Sequence, residues 1–136
     1  LLWPRDSRVD ITIPFLLTGG TFDLVTPAIY EQLGLLLATK KNKYSRVLLI
    51  EGASHFSPIR VKDQLNKSLG EDVFKLDETL VGVEPISVQN LLASEITRFL
   101  INLEKENALE PEINMQRNNI SFHLLDRILV KSLINN

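Results

Sequence analysis

The chain has 136 residues, 44% of them hydrophobic and 24% charged, with a net charge of −2, which is the size and balance of one globular domain with a core of its own. Charges of both signs are interspersed, so no basic field is available for nucleic acid or for an anionic membrane surface. The lack of cysteine excludes disulfides, thiolate metal sites and a cysteine nucleophile, and makes a reducing compartment, the cytoplasm, the expected location.

The longest apolar runs, residues 33–38 and 47–50, fall far short of the roughly 20 residues that cross a bilayer, so neither a membrane span nor a targeting segment is expected. An opening on Leu1 rather than methionine suggests a piece of a longer protein. Residues 10–18 are rich in Ile, Phe, Leu and Thr and run into Gly19, Gly20 and Thr21, the pattern of a buried strand ending in a tight loop. Pro14 removes one ladder donor from it. Thr26 before Pro27 is a helix-start signal. Ile29, Leu33, Leu36 and Leu37 then recur at helical spacing, and Lys40, Lys41 and Lys43 form a solvated, cationic end, giving a helix of about fourteen residues. Residues 45–51 contain the continuous run Val47, Leu48, Leu49, Ile50 of a strand covered on both faces, stopped by Gly52.

Residues 56–84 are polar and irregular, a surface excursion with a short helix over 61–69 stopped by Gly70. Val88, Leu92, Ile96, Phe99 and Leu103 predict a helix over 87–105 capped by Ser87 and docked on the sheet. The acidic stretch 104–112, holding Pro111, reads as a linker, and residues 120–133 as a last helix with His123 on its apolar stripe. The expected organisation is one unit over residues 1–107, followed by a linker and C-terminal helix over 108–136.

Strand, crossover helix and strand make a βαβ unit with parallel strands. Two parallel strands do not make a stable sheet, so further strands are expected from an upstream portion of the same protein or from a partner chain. Asp23 lies just past the first strand and His55 just past the second. Parallel strands send both loops to one sheet edge, where open α/β sheets place their ligands. A helix of ~21 Å returns the chain over a strand of similar length, so the two side chains can meet. A carboxylate on one imidazole nitrogen sets the tautomer and leaves the other nitrogen to take a proton.

Residues 13–17, followed by Gly20, Asp23, Thr26 and Pro27, and then residues 46–57 with Glu51-Gly52-Ala53-Ser54-His55-Phe56-Ser57, resemble the acid and histidine segments of α/β-hydrolases. They are most similar to the branch of platelet-activating-factor-acetylhydrolase-like and predicted dienelactone-hydrolase-like proteins. The resemblance spans roughly residues 9–59. It implies an α/β fold of which this chain is the C-terminal βαβα portion, with parallel strands, flanking helices and an incomplete sheet. It also implies that Asp23 and His55 are the acid and base of a catalytic triad acting on a small-molecule carboxylic ester or related acyl compound, with no dissociable cofactor. The order acid then histidine agrees with such enzymes.

No Gly-x-Ser-x-Gly is present, and Ser54, adjacent to His55, points away from it in an extended chain. The serine is therefore expected outside this chain, and these residues alone are expected to be inactive. Without the resemblance, Asp23 reads as a turn or helix-start carboxylate and His55 as a hydrogen-bonded loop histidine. Thr21 and Phe22 line a pocket or simply form a loop, Ser57 and Pro58 shape the turn after the histidine, and His123 packs. Glu51, Asp63 and His55 lack the spacing of a metal site, and none is expected. A catalytically inactive binding scaffold, with residues 56–84 and the last helix as contact surfaces, and a truncated gene product are the alternatives.

Overall fold

The computed structural model describes residues 11–38, 42–55, 57 and 83–135. The short helix expected over 61–69, together with Trp3, Lys40, Lys41, Phe56, Pro58 and Asp63, lies outside the described residues. The elements are β1 (Leu16–Gly20), α1 (Gln32–Ala38), β2 (Arg46–Ile50), α2 (Pro85–Glu104), β3 (Glu112–Arg117), β4 (Ile120–Leu125) and α3 (Arg127–Ile134). They build one four-stranded sheet in the order β1-β2-β4-β3. β1 and β2 are parallel, Leu16 opposite Arg46 through Gly20 opposite Ile50, as the βαβ reading predicts. The rest departs from that reading. β4 is antiparallel to both β2 and β3, so the sheet is mixed rather than parallel, and β2 gains its second neighbour from downstream.

The expected last helix over 120–133 is in fact a strand followed by a helix. Asn118 and Asn119 both have positive φ, 51° and 62°, the backbone of a two-residue hairpin turn that joins β3 to β4. Along β4, Ile120, Phe122 and Leu124 alternate with Ser121 and His123, and the first three are buried on one face. Asp126 then caps α3, its carboxylate accepting from the Leu129 amide at 2.7 Å. Residues read as a linker and terminal helix thus complete the sheet. The buried Arg46 secures them: its guanidinium donates to the Lys43 carbonyl at 2.7 Å and to the Leu109 carbonyl from Nε at 2.8 Å.

Helices cover both faces. Leu48, Ile50, Phe122 and Leu124 pack with Val88, Leu91 and Phe99 of α2. Val47 and Leu125 pack on the opposite side with Leu36 of α1 and Val130 of α3. Helices α1 and α2 both differ from expectation in their bounds. Helix α1 is shorter than expected, because residues 28–31 form turns in which Tyr30 and Glu31 donate to the Pro27 carbonyl, and Ile29 is exposed. Helix α2 starts two residues before Ser87. Glu84 is its cap, accepting from the Ile86 and Ser87 amides at 3.0 and 2.7 Å, and Pro85 occupies the first turn, where its missing N–H costs little.

The buried stripe of α2 is also rotated from the expected one: Leu91 and Glu95 face the core, whereas Ile96 is exposed. Glu95, fully buried, is held by Arg98 at 2.9 Å and by Arg117 of β3 at 2.5 Å. Arg98 also forms a two-pronged pair with Glu112 at 3.1 and 2.9 Å. These ion pairs fasten the hairpin to α2. Glu95→Ala should destabilise the protein by about 1–3 kcal/mol. The two arginines are 28% and 38% exposed, so water takes over part of the lost pairing, and the loss stays below the roughly 3–5 kcal/mol of a fully buried pair. Urea unfolding would register it as a lower midpoint at unchanged slope. Among the described residues no helix is long and apolar enough to cross a membrane.

Candidate functional site

The loops after β1 and β2 are tied to each other by backbone. Thr21 N–H donates to the Ile50 carbonyl and Phe22 N–H to the Ala53 carbonyl, each at 3.0 Å, while Gly52 N–H donates to the Thr21 hydroxyl at 2.8 Å. Thr21 is therefore a strut between the loops, and Phe22 is about half exposed. Gly20 permits this approach: a Cβ there would lie 1.9 Å from the Ala53 carbonyl oxygen. Gly52 turns the second loop with φ of 71°, a left-handed conformation that suits glycine.

This scaffold brings Asp23 and His55, 32 residues apart, to 3.0 Å between Asp23 Oδ2 and His55 Nδ1. Asp23 is buried, and its Oδ1 accepts from the Val25 amide at 3.0 Å and from the Thr26 amide at 2.7 Å. Its Oδ2 accepts from the Thr26 hydroxyl at 2.7 Å. Burial opposes ionisation of Asp23, but the Thr26 amide and hydroxyl and the His55 ring outweigh it and hold the carboxyl below its ordinary value. An ionised carboxylate only accepts, so the proton shared with His55 resides on Nδ1. That hydrogen also lies within reach of the Thr26 oxygen, 3.1 Å from Nδ1. The unprotonated, basic nitrogen in this tautomer is Nε2. The His55 side chain is 35% exposed, against 6% for Asp23.

A cavity of about 200 Å³ opens beside the pair, with Thr18, Gly19, Ile50 and Leu92 among its walls and Asp23, Thr26 and His55 at its polar side. Ser54 also borders it, but its hydroxyl faces that of Ser57 at 3.2 Å and its amide donates to the Ser57 hydroxyl at 2.9 Å, a tie that shapes the turn. Among the described residues no cluster of His, Cys, Asp and Glu is placed to hold a metal ion.

Thr26 is the site residue that sequence reading assigned otherwise. Its hydroxyl bridges the Asp23 carboxylate and the His55 ring instead of capping a helix, and the spacing Asp23-x-x-Thr26 was the available signal, since an Asx-type turn brings those side chains together. His123 also differs from expectation. It stands on β4, where Nδ1 accepts from the Asn114 amide at 3.1 Å and Nε2 donates to Glu51 at 2.8 Å. With both nitrogens engaged, that second carboxylate–imidazole pair clamps β3 and β4 to the turn after β2 rather than serving as a base.

No protein-family model matches the chain, and no solved structure matches it. Among curated proteins it is similar to the Rho GTPase-activating protein 11A of Homo sapiens, 30% identical over 103 residues. That match takes in 65% of this chain and spans about a tenth, 10%, of the length of that protein. These findings overturn the resemblance to α/β-hydrolases: no family and no solved structure supports it, and the similarity found points to a different protein. The sheet order adds to this, since two antiparallel strands occupy the side of β2 away from β1. What the site can do rests on its own geometry.

Proposed function

We propose that the chain carries the acid–base half of a hydrolase acting on small carboxylic esters or related acyl compounds, with the serine nucleophile supplied from outside these 136 residues. The observation that carries this reading is the 3.0 Å hydrogen bond from His55 Nδ1 to the buried, ionised Asp23, beside a cavity. His55 Nε2 takes the hydroxyl proton of the serine as its oxygen bonds to the ester carbonyl carbon. The imidazolium, steadied by Asp23, returns that proton to the departing alcohol as the carbon–oxygen bond breaks. Water then enters by the same proton path, and the acid product leaves.

The test is labelling with a fluorophosphonate, which traps an activated serine. The chain together with the polypeptide that supplies the nucleophile should form a serine adduct, and His55→Ala should slow adduct formation by about 10²–10⁴-fold. Well-folded protein that forms no adduct would favour the inactive binding scaffold.

A further inference from the structure

Gln32, the first residue of α1, reaches the same cavity as Asp23 and His55. Its Oε1 is buried yet accepts no hydrogen bond among the described residues. The amide has room because position 19 is glycine: a Cβ there would lie 3.2 Å from Gln32 Cδ and 3.3 Å from Oε1. A buried amide oxygen without a donor is costly in a folded protein and is found where a ligand or catalytic role compensates. The donor that meets it comes with whatever enters the cavity.

The cavity, about 200 Å³, lies below the range of roughly 300–1,000 Å³ for sites that take drug-sized ligands, so its occupant is small. Gln32 is neutral, and Asp23, the one carboxylate bordering the cavity among the described residues, is already engaged by Val25, Thr26 and His55. A neutral hydroxyl therefore suits the site better than a cationic amine. Resting on the hydrolase reading, we infer that Gln32 is a specificity-determining residue that receives a hydroxyl on the acyl part of the substrate. The preferred substrates are esters of short hydroxy acids over plain alkanoyl esters.

Hydroxyacetone and butanone, which exchange a hydroxyl for a methyl group, test this in an NMR titration of the chain. Hydroxyacetone should shift the Gly19, Gly20 and His55 resonances with a Kd about tenfold below that of butanone, because a site built for a hydroxyl discriminates against the analogue lacking it. Gln32→Leu should abolish the preference, and Gln32→Glu, which keeps an acceptor, should retain it. Equal Kd values, a preference that survives in Gln32→Leu, or no shift with either ketone would overturn the inference. Binding is read here without turnover. A failed fluorophosphonate label sinks the acyl-transfer reading alone, and equal Kd values sink the Gln32 assignment alone.

Discussion

Asp23→Asn should leave the loop between β1 and α1 folded and lower kcat for ester hydrolysis by about 10²–10⁴-fold in protein that includes the serine. Asparagine keeps an oxygen for the Val25 and Thr26 amides, which Oδ1 accepts at 3.0 and 2.7 Å. Its NH₂ then replaces Oδ2, the atom 3.0 Å from His55 Nδ1. A donor facing Nδ1 obliges that nitrogen to accept, so the imidazole proton moves to Nε2 and the base is blocked. Nitrogen-15 spectra of the imidazole should report the change of tautomer directly. An unchanged tautomer with unchanged kcat would remove Asp23 from the mechanism.

The same carboxylate links stability to pH. Its folded pKa is depressed, by the Thr26 and His55 hydrogen bonds acting against burial, so its contribution is present above the unfolded value, about 3.9. It is lost as pH falls from there through the folded value. Asp23→Asn should flatten that acid limb of the unfolding curve.

Gly20→Ala should destabilise the protein by about 1–3 kcal/mol and lower activity well beyond what that loss of folded protein explains. The added Cβ would stand 1.9 Å from the Ala53 oxygen and 2.5 Å from its carbon, and both are backbone atoms with no rotamer to escape into. That carbonyl accepts from Phe22 N–H at 3.0 Å, so relief of the clash parts the two loops. Asp23 and His55 sit on opposite loops, three residues after Gly20 and two after Ala53. A parting on the order of 1 Å breaks their hydrogen bond, and displacements of that size cost about 10²-fold in catalysis. Thermal unfolding and kcat measured on the same preparation separate the two effects. A variant with lowered Tm but wild-type kcat would show that the loop contact does not position the pair.

Much of the fold follows from local pattern. The run Val47 to Ile50 can only be covered on both faces, and it is, by α2 on one side and by α1 and α3 on the other. The parallel pairing of β1 and β2 follows from the crossover between them. The hairpin was legible as well: Asn118-Asn119 before the alternation Ile120-Ser121-Phe122-His123-Leu124 is a turn and strand signal. Helical spacing also fits residues 120–133 when they are taken as a single element, and it hides the Asp126 cap that divides them. The stripe of α2 was not legible, because apolar spacing cannot show that Glu95 is buried: its partner Arg117 is 22 residues away on β3.

By itself the sequence determined that Asp23 and His55 leave the sheet at one edge, since parallel strands permit nothing else. Only the tertiary structure decided that they touch, because the 3.0 Å contact depends on the Gly20–Ala53 approach and on the two amides and hydroxyl that hold the carboxylate. It also decided that β2 is completed from downstream and that Gln32 stands in the same cavity. Pairing between distant segments is set by which surfaces pack, and a local pattern along one segment does not contain its partner.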